Sequence, residues 1–326
     1  MNNISVYQSA FNKHLNLYIQ SLNNRKPKEL YEPIQYILQS DAKQIRPVLC
    51  LLATHLYQKN YKPSLNAALS IELFHTFSLI HDDILDNSPL RRGKKTIHTK
   101  WNVNRAILSG DVLLVEAFQL LSKYPSNVSH SLLKVFSKAS VEICEGQQED
   151  MNFENLNSVP SAQYIEMIRK KTAVLIGTSL QMGAIVANVN SSEQKKLYKI
   201  GENIGIAFQI MDDYLDTFGD TKTFGKKIGN DILTNKKTFL LTKSIELANK
   251  KQLSQIKKIL QMPANTEKIE AMKNIFKELH IDELTLNTVK NIHQKNLKQI
   301  KSLKVTNNTA INILLQLSES LINRKK

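Results

Sequence analysis

The chain has 326 residues, 42% of them hydrophobic and only two cysteines, Cys50 and Cys144, so it can bury a large core and no disulfide framework is expected. Its net charge of +15 invites a nucleic-acid or membrane reading, but 21 Lys/Arg against 8 Asp/Glu fall after Thr221. They are spread among apolar residues without aromatic interleaving, which is a solvated surface and not a nucleic-acid module.

The N-terminus has no charged start leading into an apolar run, so no signal peptide is expected. The most apolar stretch, Ala173 to Val189, is interrupted by Thr178, Ser179, Gln181 and Asn188, which suits a buried helix and no membrane span. With so few cysteines, a reducing, cytoplasmic setting is expected. Glycine and proline are scarce, at 10 and 8, and apolar residues recur at three and four spacing almost throughout. The expected fold is therefore all-α, in a single domain over 1–326.

Helices are expected at Ile4–Leu22, Leu30–Leu38 and Val48–Tyr57. After Pro63 a long helix covers Leu65–Asp86, and Val103–Ser122 and Val128–Met151 flank a turn at Pro125. A helix from Ala162 is expected to break near Thr172 and resume to Val189, and Glu193–Asp216 is the next long one. Thr217–Thr234 reads as a loop, with two or three amphipathic helices after Thr238. No low-complexity linker marks a domain boundary.

The stretch Glu72–Lys95, ELFHTFSLIHDDILDNSPLRRGKK, concentrates the chemistry. On a helix Asp82 and Asp86 lie one turn apart on one face, with Asp83 alongside. Three like charges repel, and a bound cation relieves this most easily. Mg2+ takes carboxylate oxygens and keeps water or phosphate oxygens in its shell. The adjacent Arg91, Arg92, Lys94 and Lys95 point to phosphate. Alone, this motif reads equally well as a solvated acidic helix end before a basic loop.

Its repetition decides the matter. Phe208–Asp216, FQIMDDYLD, sets Asp212, Asp213 and Asp216 at the same spacing, and Lys222, Lys226, Lys227, Lys236 and Lys237 come after it. Six carboxylates around one bundle cavity could hold two or three Mg2+ ions bridging a diphosphate. A diphosphate so neutralised is a good leaving group, and nearby Lys and Arg would stabilise the charge it develops.

In sequence order, the residues that carry a family resemblance begin with Lys43-Gln44-Ile45-Arg46-Pro47, His75 seven residues before Asp82, and DDILD followed by Leu90-Arg91-Arg92-Gly93. Next come Gly110-Asp111-Val112-Leu113-Leu114, Gly146-Gln147 with Asp150, and Lys171-Thr172. Phe208-Gln209, DDYLD, and Gly225-Lys226 with Asp231 and Lys236 complete the series. Over nearly its full length the chain resembles the trans-isoprenyl diphosphate synthases, the polyprenyl synthetase family.

The resemblance implies a helical bundle around a deep central cavity, a homodimer, and condensation of isopentenyl diphosphate with an allylic diphosphate (dimethylallyl, geranyl or farnesyl). Two or three Mg2+ ions, with Mn2+ as a substitute, would bind Asp82, Asp83, Asp86, Asp212, Asp213 and Asp216. Arg91, Lys171, Gln209, Lys226 and Lys236 would contact the allylic diphosphate, and Lys43, Arg46, His75 and Arg92 the isopentenyl one. Released pyrophosphate, near Thr172 and Gln209, would take the final proton. The chain departs from the family pattern at Asp41-Ala42, Gln44, Lys95 and Asn235, none of them an implied ligand.

In this family a large side chain beneath the first motif stops the growing product. Phe77, five residues before Asp82 and beside the small Ser78, implies a C15–C20 product, with Phe74 as a second floor. The alternatives are a C30–C40 synthase, a non-catalytic subunit of a heteromeric synthase, and a nucleic-acid-binding helical protein. A terpene cyclase would need an Asn/Asp-Ser/Thr-Glu triad as its second motif. A di-iron bundle would need two Glu-x-x-His pairs, and only Glu72 with His75 is present.

Overall fold

The computed structural model describes residues 4–40, 42–219 and 229–322. Within them the chain is almost wholly helical, as its three-and-four spacing requires. In order the helices are α1 (Ser5–Ser21), α2 (Lys28–Leu38), α3 (Ile45–Tyr57), α4 (Leu65–Leu85), α5 (Ile97–Lys100), α6 (Val103–Ser122), α7 (Ser126–Glu154) and α8 (Ser161–Ile168). A π-helical turn, Arg169–Ala173, leads into α9 (Val174–Val186) and then α10 (Ser191–Phe218). The remaining helices are α11 (Asn230–Leu233), α12 (Phe239–Leu247), α13 (Lys250–Leu260), α14 (Thr266–Glu278), α15 (Ile281–Lys301) and α16 (Asn308–Ile322).

The basic segment after α4 forms a small hairpin. β1 (Leu90–Arg91) pairs antiparallel with β2 (Lys94–Lys95). Its two turn residues, Arg92 and Gly93, both have positive φ (52° and 76°), the geometry of a type I′ turn.

Two expectations are corrected. Five helices, not two or three, come after Thr238. Polar caps make two of their boundaries: the Asn249 side chain accepts from the Lys251 and Gln252 amides, and Asn265 accepts from the Lys268 amide. The expected loop over Thr217–Thr234 is also helical at both ends, since α10 runs to Phe218 and α11 lies within it.

The chain forms two compact units, each drawn from separated stretches. The first comprises Met1–Ser137, Thr178–Leu197 and Lys304–Ile313. In it α4 lies against α6, where Gly110 leaves room for the His81 ring: a Cβ there would sit 2.5 Å from His81 Nε2, and the ring would have to move. Glu193, buried at the start of α10, accepts from the Tyr57 hydroxyl (3.1 Å) and the Lys304 amide (3.1 Å) and pairs with Lys196 (2.6 Å). That one carboxylate joins three separated stretches of the unit.

The second unit comprises Lys138–Gly177, Tyr198–Leu303 and Leu314–Lys326. One apolar cluster joins Tyr164 and Met167 of α8, Ala207 and Ile210 of α10, Phe239 of α12 and Val289 of α15. A second joins Leu240 and Leu241 to Ile256, Ile259, Met272 and Phe276 of α13 and α14. Among the described residues no helix is long and apolar enough to cross a membrane.

Candidate active site

In the first unit, α4 carries the first aspartate motif at its C-terminal end. The spacing treats the three carboxylates alike, whereas the structure separates them. Asp83 is 2% exposed, and its Oδ1 accepts from Arg91 Nε at 2.7 Å. Burial pushes its pKa up, against the pull of the Arg91 guanidinium. This ion pair folds the hairpin back onto the helix end, helped by Thr96 Oγ1 donating to Ser88 O at 2.8 Å. Asp82 is partly exposed and Asp86 exposed.

A narrow pocket is lined in part by Gln44, Glu72, Thr76, Leu79, Arg91 and Arg92. Near it Arg46 Nη1 lies 3.2 Å from His75 Nε2. Arginine can only donate, so Nε2 accepts and the imidazole is neutral with its proton on Nδ1. Burial, reinforced by Arg46, Arg92 and Arg91, holds the His75 pKa well below its ordinary value. Burial also lowers Arg46 to about 10, with Glu72 opposing, so it remains a cation at neutral pH. Lys43 is exposed; its neighbours Ala42 and Gln44, not Lys43, line the pocket.

The chain-length candidates also differ. Phe74 is 1% exposed and packs its ring 5.4 Å from that of Phe136, as a core residue does. Phe77 is only partly buried, 5.5 Å from Phe74 and 4.6 Å from the His81 ring. Ser78 Oγ donates to His75 O at 2.9 Å.

In the second unit, α10 ends in the second motif with the same division. Asp213 is 2% exposed and surrounded by donors: Oδ2 takes the Tyr164 hydroxyl and the Phe239 amide (3.0 Å), and Oδ1 takes Gln209 Nε2 (3.3 Å). Burial raises its pKa to about 7, against Lys236 and these hydrogen bonds. Asp212 and Asp216 are partly exposed, and Asp216 Oδ2 accepts from the Asp231 amide at 3.0 Å. In each motif the middle aspartate is the buried one, held in protein contacts.

Lys171 and Thr172 sit in the π turn, a feature frequent at functional sites. Lys171 Nζ pairs with Asp150 Oδ2 at 2.6 Å, and Thr172 Oγ1 donates to Gln209 Oε1 at 3.2 Å. Lys170 pairs with Glu149 (2.6 Å), and Arg169 with Glu142 (3.0 Å) and Glu166 (2.8 Å). Gly146 lets α7 approach, since a Cβ there would lie 2.4 Å from the Lys171 amide nitrogen. Lys236 lies 3.9 Å from Asp231. Burial works against its charge, but Asp231, Asp213, Asp150 and Asp212 together raise its pKa. Lys226, like Lys222, Lys227 and Asp41, lies outside the described residues.

Tyr164 and the Phe239 amide were not foreseen from the sequence, because neither belongs to a charged motif. Glu72 did carry a signal, its Glu-x-x-His spacing to His75. Among the described residues no group of three acidic, His or Cys side chains is gathered as a ready metal site.

The profile of the polyprenyl synthetase family matches residues 27–279. The chain belongs to the polyprenyl synthetase family. Within this family it is 42% identical over 228 residues to a geranylgeranyl pyrophosphate synthase of Geoglobus acetivorans, covering 69% of this chain and 71% of that one. It is 31% identical over 331 residues to the geranylgeranyl diphosphate synthase of Sulfolobus acidocaldarius, covering 99% and 100%. A crystal structure of a geranylgeranyl pyrophosphate synthase superposes with a TM-score of 0.92 at 40% identity, covering 100% of both chains. This polyprenyl synthetase is a short-chain trans-prenyltransferase.

Proposed function

We propose that the chain condenses isopentenyl diphosphate with an allylic diphosphate (dimethylallyl, geranyl or farnesyl) into an all-trans C15–C20 prenyl diphosphate. The observation that carries this reading is the shared construction of the two aspartate helix ends. Each buries its middle carboxylate in protein contacts and leaves the outer two, Asp82 with Asp86 and Asp212 with Asp216, more accessible. The buried Asp83 and Asp213 act by positioning their helix ends.

Mg2+ is typically held by one or two carboxylates plus phosphate oxygens and waters, and paired outer aspartates one turn apart are such a donor set. Asp82, Asp86, Asp212 and Asp216 would hold two or three ions, with Mn2+ able to replace them. Bound there, the metal would neutralise the diphosphate and make it a better leaving group.

The chain's own residues do the rest. Lys171, Gln209 and Lys236, with Lys226, supply fixed donors to the leaving diphosphate as the allylic C–O bond breaks. Arg91 retains its Nη groups for the same anion while its Nε holds Asp83. Arg46, Arg92 and Lys43 bind the isopentenyl diphosphate, and the Arg46–His75 pair fixes one guanidinium. Phe77 and its apolar neighbours exclude water from the cation. After the isopentenyl double bond attacks, released pyrophosphate near Thr172 and Gln209 takes the proton.

We further propose that the chain works as one domain and as a cytoplasmic homodimer. The family match spans stretches of both units. Val103, Ile107, Leu108 and Val115 of α6 are exposed, an apolar face suited to a second copy. The test is incubation with labelled isopentenyl diphosphate, Mg2+ and C5, C10 or C15 primers, with products sized after dephosphorylation. No incorporation with any primer overturns the reading.

A further inference from the structure

Leu260 ends α13, and helix-terminal carbonyls have no partner within their own helix. Two side chains serve this one: Asn235 Nδ2 donates to Leu260 O at 3.1 Å and Lys268 Nζ at 3.3 Å. Lys268 is 2% exposed, so the anchor point is itself held from within the fold. Asn235 belongs to the turn that carries Lys236. Its φ is 57°, in the left-handed region that asparagine tolerates better than other residues with a side chain. Along that turn the Asn235 amide donates to Ile232 O (3.2 Å), the Lys236 amide to Asp231 O (2.9 Å) and the Thr238 amide to Lys236 O (2.9 Å).

A hollow with room for little more than a water molecule lies beside it, lined by Asp231, Asn235, Lys236, Leu241, Met272 and Phe276. The tie to Leu260 restrains the turn on the side that faces this hollow. It also has a cost, because Asn235 Oδ1 is buried without a hydrogen-bond partner. Glycine would take the same φ without that unmatched acceptor. A side chain kept at a cost, next to a cation among carboxylates, answers to the site more than to stability.

We infer that Asn235 is a positioning residue for Lys236, holding its turn against the end of α13 so that the ammonium stays where a diphosphate is received. The inference rests on the proposed role of Lys236 as a diphosphate ligand. The test compares Asn235→Gly, Asn235→Ala and Lys236→Ala with the wild type, measuring KM for geranyl diphosphate and for isopentenyl diphosphate, kcat, and Tm.

Asn235→Gly keeps the backbone conformation and loses the tie. Its KM for geranyl diphosphate should rise about three- to tenfold, the equivalent of one hydrogen bond. The isopentenyl KM should hold, and Tm should hold or rise as the unmatched acceptor goes. Asn235→Ala should show the same KM change with a lower Tm, since alanine is strained at positive φ. A wild-type geranyl diphosphate KM in Asn235→Gly overturns the inference, as does a parallel rise in both KM values with a falling Tm. A wild-type value in Lys236→Ala overturns the assignment of Lys236 and the inference built on it.

Discussion

Phe77→Ala should lengthen the product by about one isoprene unit. The substitution removes the six ring carbons of phenylalanine, and an isoprene unit adds five. The gain stops there because the next ring on the helix, Phe74, stands 5.5 Å away and is locked against Phe136, itself fully buried. Truncating a fully buried phenylalanine costs about 3–5 kcal/mol. Phe77 is only partly buried, so its loss should cost less than that, and the variant should fold. Phe74→Ala carries the full penalty and should lower Tm more while shifting product length less. The assay is chromatography of dephosphorylated products from one primer, with the wild type alongside. An unchanged profile in Phe77→Ala would refute the view that this ring is the floor. A longer product from Phe74→Ala alone would place the floor one turn deeper.

Further outcomes are expected elsewhere. Tyr164→Phe and Asp213→Asn should each reduce turnover by about 10–100-fold, the range for partners that orient metal ligands; activity at the wild-type level in both would remove Asp213 from the positioning role. Glu193 is buried, which works against its charge, but Lys196, the Lys304 amide and the Tyr57 hydroxyl outweigh this and lower its pKa. A depressed folded pKa stabilises above the unfolded value and is lost as pH falls through the folded one, so Glu193→Gln should destabilise at pH 7 and approach the wild type in acid, read by urea titration at each pH. Leu108→Asp with Val115→Asp should turn a dimer into a monomer in light scattering, and an unaltered mass would remove α6 from the interface. A chelator should abolish product formation, and Mg2+ or Mn2+ should restore it.

The long helices were legible because Pro63, Pro125 and Pro160 punctuate strong three-and-four spacing. The C-terminal helices were not counted correctly because, apart from Pro263, their boundaries carry no proline, and Asn249 and Asn265 mark helix starts as caps. Asn249 with Gln252 is a capping box whose spacing is visible in the sequence. The paired aspartate motifs announced the chemistry, since three carboxylates at a helix end need a reason. Spacing could not show which aspartates turn inward. For Asp83 that depends on the hairpin bringing Arg91 back, and for Asp213 on Tyr164 arriving from α8. The break expected near Thr172 is instead a π-helical widening of an unbroken helix, and its form depends on packing: Gly146 admits the wider turn, and three consecutive cations are held by carboxylates at 142, 149 and 150.

A π turn is an α-helix holding one residue too many. Deleting a single residue between Arg169 and Ala173 would let the helix close into regular α form. Because the wide turn absorbs the surplus, the helix after Ala173 would keep nearly its present phase, while the residues inside the turn would be re-aimed. Lys171 and Thr172 could then no longer both keep their present partners, Asp150 and Gln209. The chain thus carries a surplus residue whose removal should regularise the helix and silence the enzyme.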